Sequence, residues 1–306
     1  MEQPVLVLGA TGFVGRRLVA ALLAAGHRVR CLVRDPQRAQ DLAGDRVELV
    51  RGDMLDAAAV DRAAASARAV CFLVHTLSRQ ARRDVDFMDV EQAGLRNVVD
   101  AARRHGVRRL LYLTAIGTAP DAPSSWGRGR ARAEQMLFSS GLDVTVLRPG
   151  MIVGHGGDGF AMIERGARSR VAVLLAGRHT RFRTVAVDDL AGTLVQLLDD
   201  PRSYGRHFDV GSDDVLTTGQ MIDRAAAHLG RRPPRKLHLP RRAIAALAPV
   251  LERATGMPRG AVAGFVGPGS DADLVGDATP IRPLLARPPL TYEQAMAAAL
   301  GTRRST

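Results

Sequence analysis

An α/β fold with a doubly wound parallel sheet is predicted by three features of this sequence. Short apolar runs alternate with segments of helical periodicity over the first 150 residues, and the first run ends in a glycine-rich turn that opens a helix. A long helical segment then separates the fourth apolar run from the fifth. This alternation is typical of βαβ units, in which a crossover helix returns the chain to a parallel strand.

Six apolar runs account for the predicted sheet. They occupy residues 5–9, 28–33, 46–52, 68–74, 108–114 and 143–149. The helical segment between the fourth and fifth runs covers about residues 85–105 and stops at Gly106, a residue type that commonly follows the last turn of a helix. The length of this segment suits a crossover helix.

The regular alternation stops after Gly150, where the sequence enters the glycine-rich loop GHGGDGF. Residues 1–150 are therefore predicted to form the sheet domain. Residues 151–306 are predicted to form a smaller, interleaved C-terminal region that covers the strand ends and binds the substrate. Helices are expected in this region near residues 188–198, 218–229, 241–254 and 292–300.

The strongly basic charge of the chain does not indicate a nucleic-acid partner. The net charge is +12, Lys236 is the only lysine, and the arginines are spread over every segment. Aromatic residues make up only 4% of the chain, and no helix carries a basic stripe interleaved with stacking side chains. A compositional bias explains this charge better than a binding surface does.

The hydrophobic pattern predicts a cytoplasmic protein without a membrane partner. No window approaches the roughly 18 apolar residues of a membrane span, and the N-terminus enters a strand-like run directly, which leaves no room for a signal peptide. Cys31 and Cys71 stand singly inside apolar runs. They are expected to be buried strand residues, not partners in a disulfide, and no metal site is predicted.

The turn after the first strand is the strongest signal for a ligand. The sequence GATGFVG places Gly9, Gly12 and Gly15 between a strand and a helix, so that the backbone can approach a pyrophosphate at the helix N-terminus. This context predicts a dinucleotide bound by a Rossmann fold. The residues of this turn expected to bind the cofactor are Gly9, Thr11, Gly12, Phe13, Val14 and Gly15.

The residues after the second and third strands bear on which dinucleotide binds. Arg34 directly follows the second strand, where a guanidinium suits the 2′-phosphate of NADP, and Arg38 could add a second contact. Asp35 keeps NAD open as a less favoured cofactor. Asp53, next to Met54, could meet the adenine amino group, or it could cap the helix that starts near Asp56.

Several of these motifs together resemble a known family. The stretches GATGFVG, LVRDP, VEQAGLRNVVDAARRHGVRRLLYLT, ARAEQMLFSSGLDVTVLRPG and VAVDDLA are similar to those of atypical short-chain dehydrogenases/reductases of the NmrA-like, NAD(P)H-binding group. The likeness covers nearly the whole chain and extends into RATGMPRGAV. It implies that the cofactor lies across the carboxyl edge of the sheet and that the substrate lies between that edge and the C-terminal region.

The resemblance also shows where this chain departs from the usual proton relay of the superfamily. The superfamily uses a Tyr, a Lys, a Ser or Thr, and an Asn, and only Thr114 is kept here. Trp126 stands at the Tyr position, Arg130 at the Lys position and Glu91 at the Asn position. Indole has no usable acidic proton and Arg stays charged, so the usual Tyr and Lys relay cannot operate.

The resemblance leaves several residues as candidates for the nicotinamide side of the site. His75 follows Val74 at the end of the fourth strand and could act as an acid, or it could simply touch the cofactor or bond locally. Arg130 could hold the nicotinamide ribose or a substrate oxyanion, and Pro149 could line the pocket. The tentative catalytic residues are His75, Thr114 and Arg130, the expected cofactor contacts also include Arg34, Asp53, Met54, Val74 and Pro149, and the expected substrate contacts are Trp126 and His155.

Two functions follow from these features. The first is an NADPH-dependent reductase, a monomer or homodimer, that transfers hydride to a small conjugated carbonyl, quinone or imine without the Tyr and Lys pair. The second is a non-catalytic NADP(H) sensor or an assembly partner. An open apolar cleft on which His75 and Thr114 both converge would favour the reductase, and a cleft filled by Trp126 would favour the sensor.

Overall fold

The computed structural model describes residues 2–75, 87–174, 177–238, 246–250, 253 and 272–301. The strands are β1 (Val5–Leu8), β2 (Val29–Val33), β3 (Val47–Arg51), β4 (Ala69–Phe72), β5 (Arg109–Leu113), β6 (Asp143–Pro149), β7 (Met151–Val153), β8 (Val171–Leu174), β9 (Arg181–Ala186), β10 (Arg206–Val210), β11 (Val215–Thr217) and β12 (Arg235–His238). The helices are α1 (Phe13–Ala24), α2 (Ala57–Ala64), α3 (Phe87–Arg104), α4 (Ser125–Phe138), α5 (Asp158–Arg168), α6 (Val187–Gln196), α7 (Thr218–His228) and α8 (Tyr292–Gly301).

A seven-stranded parallel sheet forms the centre of the molecule, which confirms the predicted fold class. Its strand order is β10-β6-β5-β4-β1-β2-β3. The chain builds outward from β1 to β3 and then returns to the other side of β1 to continue with β4. The strand order therefore reverses between β1 and β4, and a crevice opens there at the carboxyl ends of the strands.

Helices cover both faces of the sheet and bury its apolar side chains. On one face, α1 packs against α6 through side chains that include Leu18, Leu22 and Leu194. On the other face, α2, α3 and α4 form a second layer. Strands β1 and β4 are buried along their whole length, as expected for a parallel sheet with helices on both sides.

The two cysteines are buried strand residues, as predicted, with Cys31 on β2 and Cys71 on β4. Cys31 and Cys71 are free thiols, and burial raises the pKa of each thiol to about 12. Such thiols stay protonated and unreactive at neutral pH. Within the part of the chain that the structure describes, no group of three or more His, Cys, Asp or Glu side chains could hold a metal ion.

The C-terminal region builds a second core beyond the carboxyl edge of the large sheet. Strands β11, β9 and β7 form a small sheet, β8 pairs with β12, and α5, α7 and α8 pack around Phe160, Ile163 and Met221. The predicted helices at 188–198, 218–229 and 292–300 correspond to α6, α7 and α8. The one predicted at 241–254 lies mostly outside the described residues, as does the start of the segment predicted from residue 85.

Two details of the C-terminal region differ from the expectations. Strand β10 joins the large sheet beside β6, so the sheet has seven strands and not six. Helix α6 begins at Val187 after an Ala186 cap, one residue earlier than expected, and Asp188 and Asp189 lie in its first turn. The Asp189 carboxylate accepts a hydrogen bond from the backbone N–H of Leu290 at 2.7 Å.

A buried arginine on β5 joins the end of α6 and the segment before β10 to strands β5 and β6. Arg109, at the start of β5, donates hydrogen bonds to the carbonyl oxygens of Leu197 and Leu198 at the end of α6, at 2.7 and 2.8 Å. The same guanidinium reaches the hydroxyls of Thr145 on β6 and Ser203 before β10, at 2.8 and 3.2 Å. These bonds satisfy carbonyls that a helix C-terminus leaves without partners.

No helix in the described part of the chain is both long enough and apolar enough to cross a membrane.

Candidate functional site

The glycine-rich turn lies at the point where the strand order reverses. Gly9 follows β1 with a φ of +86°, and a Cβ atom there would lie 2.9 Å from the carbonyl carbon and oxygen of Leu73 at the end of β4. Gly15 is buried in the first turn of α1, where a Cβ would lie 2.0 Å from the Gly9 oxygen. Only a residue without a side chain allows these approaches.

The same turn presents backbone donors toward the crevice. The Gly12 N–H donates to the Gly9 oxygen at 3.0 Å, and Gly12 caps α1 without a side-chain hydrogen bond. The first N–H groups of a helix have no intrahelical partner and carry partial positive charge. The cradle left by the missing side chains therefore fits a dinucleotide pyrophosphate, and it brings together the predicted turn residues Gly9, Thr11, Gly12, Phe13, Val14 and Gly15.

The loop at residues 154–157 covers the outer side of this turn. A Cβ on Gly157 would lie 2.7 Å from the Phe13 ring, so the loop rests directly on that ring. Arg17 stacks on the same ring at 5.5 Å and donates to the His155 carbonyl oxygen at 2.9 Å. His155 is thus exposed beside the start of α1, and its contact with substrate stays a prediction.

The two acidic residues that follow β2 and β3, Asp35 and Asp53, have structural partners of their own. Asp35 caps the short 3₁₀ helix that follows β2, because its Oδ1 accepts from the Gln37 N–H at 3.1 Å and its Oδ2 lies 3.5 Å from Arg38 Nε. Arg34, beside it, is exposed. Asp53 accepts from the Leu55 N–H at 2.9 Å.

The alternative role of Asp53 as the cap of α2 is wrong. Asp56 takes that role, with its Oδ1 at 3.0 Å from the Ala58 N–H and at 3.1 Å from the Ala59 N–H. Met54 is half-buried between β3 and α3, where its carbonyl oxygen accepts from the Asn97 side chain at 2.9 Å. The contact of Asp53 and Met54 with adenine stays a prediction.

The end of β4 places an exposed histidine beside the indole at the start of α4. The ring centroids of His75 and Trp126 are 6.4 Å apart, with planes inclined by 39°. His75 is exposed, whereas Val74 and Trp126 are half-buried. Desolvation by the surrounding protein, and secondarily the positive charge of Arg130, lowers the pKa of His75 below its usual value. The imidazole is therefore uncharged at neutral pH.

Below Trp126 lies a buried cluster that joins three elements. Glu91 of α3, Tyr112 of β5 and Arg130 of α4 are each 1% exposed or less. The Tyr112 hydroxyl donates to Glu91 Oε1, and Arg130 Nη2 lies 3.2 Å from Glu91 Oε2. Burial, and then the Glu91 charge, hold the pKa of Tyr112 well above its usual range. Tyr112 therefore cannot replace the missing acid, because its hydroxyl is enclosed, already donates to Glu91, and is a weaker acid than an ordinary tyrosine.

The structure turns Arg130 away from the crevice. Its guanidinium points into this cluster and donates to the Leu113 carbonyl oxygen at 2.8 Å, and its predicted contact with the nicotinamide ribose stays a prediction. The pairing of Arg130 with Glu91 could have been inferred from the sequence, since an acid and a cation replace the neutral Asn and the Lys of the family. Burial of the pair could not, because it depends on how α3 and α4 pack.

A second polar cluster occupies the ends of β5 and β6. Thr114 is 4% exposed, and its hydroxyl donates to Glu134 Oε1 at 2.9 Å. Arg148 Nε donates to the same oxygen at 3.0 Å. Pro149 is buried, and its carbonyl oxygen accepts from the Ile116 N–H at 3.1 Å. Of the predicted catalytic residues, only His75 is exposed.

The C-terminal region adds a segment to this edge that sequence reasoning missed. Leu274 contacts the loop after β5, because a Cβ on Gly117 would lie 2.7 Å from Leu274 Cδ2. The backbone of Leu274 pairs with that of Arg181 and Arg183 on β9, at 2.8 and 3.0 Å. No periodic pattern marks residues 273–277, because their position depends on contacts with distant parts of the chain. Besides the β9 backbone, the Arg181 guanidinium binds the Asp273 carboxylate and Arg183 Nε donates to the Val275 carbonyl oxygen at 2.7 Å.

Comparisons with known proteins agree with this geometry. A family model described as NAD(P)H-binding matches residues 9–201. The 3-diazoavenalumate denitrifying reductase of Streptomyces sp is 36% identical over 282 residues, covering 81% of this chain and 86% of that protein. The NAD(P)H azoreductase of Xenophilus azovorans is 24% identical and covers 74% of each chain.

Solved structures show the same fold. The NADPH-dependent quinone oxidoreductase of Escherichia coli, solved in complex with NADPH, superposes with a TM-score of 0.75 and 20% sequence identity. The superposition covers 96% of this chain and 98% of that one.

Proposed function

The chain belongs to the NAD(P)H-binding family, and from this premise we propose that it is an NADPH-dependent reductase of a small, planar, electron-poor acceptor such as a conjugated carbonyl, a quinone or an imine. The observation that carries the proposal is the exposed His75 beside Trp126, on the same sheet edge as the glycine cradle. The names of two similar proteins, a denitrifying reductase and an azoreductase, support a reductase.

NADP is favoured over NAD by the arrangement after β2. The Asp35 carboxylate caps the 3₁₀ helix and lies near Arg38, so it is occupied where an NAD enzyme would use an acid on the ribose hydroxyls. Arg34 is exposed beside it and can meet a 2′-phosphate with charge-assisted hydrogen bonds. The cofactor would thus be held by the glycine turn and by Arg34.

Replacing Arg34 with alanine is expected to weaken NADPH binding about 10- to 100-fold and to leave NADH binding nearly unchanged, because hydrogen bonds to a charged group contribute about 1.5–3 kcal/mol. Fluorescence titration with both nucleotides measures the two dissociation constants. Arg28→Ala, at the opposite end of β2, is the matched control and should preserve the preference. If Arg34→Ala still preferred NADPH to NADH, the assignment of Arg34 to the 2′-phosphate of NADP would be wrong.

The chemistry proposed for this site needs no acidic tyrosine. NADPH held by the glycine turn and Arg34 would supply the hydride from its nicotinamide C4–H bond to the acceptor and leave as NADP⁺. The electron pair displaced within the acceptor collects on its oxygen or nitrogen, where the neutral imidazole of His75 can donate a hydrogen bond. Because the pKa of His75 is lowered, the proton that completes the reduction comes from water.

His75→Ala is expected to lower kcat/KM about 100-fold while NADPH binds as before, since one hydrogen-bond donor to a developing negative charge is removed. The rate is followed by the loss of NADPH absorbance with a panel of quinones and enones. His105→Ala, located just after α3 at the opposite edge of the sheet, is the control and should keep the wild-type rate. A full rate in His75→Ala would remove His75 from the mechanism.

A second function is favoured by one observation. The Thr114 hydroxyl is buried and committed to Glu134, so the residue that the family keeps at the strand end does not reach the crevice. This supports a non-catalytic NADP(H) sensor or assembly partner. Tight NADPH binding without consumption of NADPH across the whole acceptor panel would favour the sensor over the reductase.

A further inference from the structure

Arg130 is a buried cation that the proposed hydride transfer does not use. Its side chain is 1% exposed, and its only charged partner among the ion pairs of the described residues is Glu91, at 3.2 Å. Apolar side chains of similar volume often replace a buried ion pair at no cost in stability. The buried pair of Arg130 and Glu91 therefore calls for an explanation other than stability, namely a contact that apolar side chains could not make.

The hydrogen bonds of Arg130 use N–H groups at the edge of its guanidinium, so the flat faces of the group remain available to contact aromatic rings. Nη1 donates to the Leu113 carbonyl oxygen at 2.8 Å, and Nη2 meets Glu91 Oε2. Both bonds lie along N–H directions in the guanidinium plane. The Cζ atom lies 5.0 Å from the centroid of the Trp126 ring and 6.0 Å from that of Tyr112, within the range of cation–π contacts.

We infer that Arg130 is a positioning residue: anchored by Glu91 and by the end of β5, it holds the indole of Trp126 as the flat wall on which the hydride acceptor lies. That Arg130 holds the indole in place stands on the contacts alone. That the indole position affects turnover rests on the proposed reductase function. Trp126 lies between this buried support and His75, so its orientation sets the space available to a planar acceptor beside the imidazole.

The support requires arginine and not merely a positive charge. A guanidinium can donate in its plane to Leu113 and Glu91 while its face stacks on the indole. An ammonium is a compact charge without a stacking face. Arg130→Lys therefore keeps the charge opposite Glu91 and removes the flat support under Trp126, which makes it the sharpest variant for this contact.

Trp126 is the only tryptophan in the chain, so intrinsic fluorescence reports on this residue alone. For Arg130→Lys we expect the emission maximum to move to longer wavelength and acrylamide to quench the emission more strongly than in the wild type. We expect the KM for the quinone substrate to rise about three- to thirtyfold with a smaller change in kcat, and the dissociation constant of NADPH to stay the same. Arg132→Lys, an exposed position of the same helix, is the control and should change none of these values.

The fluorescence of Arg130→Lys can overturn the inference. Unchanged Trp126 emission and quenching in this variant would show that Arg130 does not hold the indole. If NADPH binding is weaker as well, Arg130 belongs to the cofactor contacts. If the wild type consumes no NADPH with any acceptor, the reductase function fails, while the fluorescence of Arg130→Lys still decides whether Arg130 positions Trp126.

If Arg130→Lys does not fold, Trp126→Phe tests the same wall with the buried pair intact. Phenylalanine gives a smaller ring, so we expect a rise in the quinone KM of similar size and no change in NADPH binding. An unchanged KM in Trp126→Phe would contradict the inference. Where both variants fold, their effects on KM should be less than additive, because each removes the same contact.

Discussion

Gly15→Ala is expected to destabilise the protein by at least about 3 kcal/mol and to abolish measurable NADPH binding. The new methyl group would lie 2.0 Å from the Gly9 oxygen, and both atoms belong to backbone that is fixed between β1 and α1. Neither can move without opening the turn. Urea unfolding followed by circular dichroism measures the loss of stability, and nucleotide titration measures the binding.

Alanine substitutions at two other glycines serve as controls, because they add the same methyl group without the severe backbone clash expected at Gly15. Gly12→Ala places its Cβ 3.1 Å from the Gly9 oxygen at the exposed mouth of the turn, so it should fold with little loss and still bind NADPH more weakly. Gly192→Ala has nothing within 4 Å in α6 and should stabilise the protein slightly. Wild-type stability in Gly15→Ala would mean that the turn is less tight than the structure shows.

Glu91→Gln is expected to lower the free energy of unfolding by about 3–5 kcal/mol, because it leaves the buried charge of Arg130 without its carboxylate. The substitution keeps the size of the side chain, so the loss reports charge and not a cavity. Denaturant unfolding at neutral pH measures it. NADPH binding should persist under native conditions, since Glu91 lies on α3 and not on the glycine turn.

The matched control for this charge removal is Glu293→Gln. Glu293 pairs with Arg224 across α8 and α7, and both side chains are about half exposed, so loss of that pair should cost less than about 1 kcal/mol. A cost of similar size for Glu91→Gln and Glu293→Gln would show that the buried pair contributes no more than a surface pair.

The sheet could be predicted because its signals are local and agree with one another. The six apolar runs became β1 to β6, since strands covered on both faces are apolar at nearly every position. Strand β10 was missed because only Phe208 and Val210 of its five residues are buried, and its edge position tolerates the charged Arg206. Its place is decided by the exposed edge of β6 and not by its own composition.

The cofactor side of the site could be predicted further than the acceptor side. A glycine spacing between strand and helix fixes the backbone geometry directly, so Gly9, Gly12 and Gly15 came together as expected. The environment of Arg130 depends on which way one helix faces another, and the sequence does not state this. Arg130, which stands at the lysine position of the family, is buried because of how α4 packs against α3, and the sequence pattern does not reveal this packing.

The hydrogen bonds from Arg109 to the end of α6 and to Ser203 constrain how this protein can change during evolution. Helix α6 and the turn that holds Ser203 are encoded after the segments that build β1 to β6, yet the guanidinium of Arg109 links them to β5 and β6. A recombination event near residue 150 would separate Arg109 from the carbonyl oxygens of Leu197 and Leu198, unless the incoming segment supplied the same acceptors. The C-terminal region is therefore expected to change more readily by single substitutions than by exchange of the whole region.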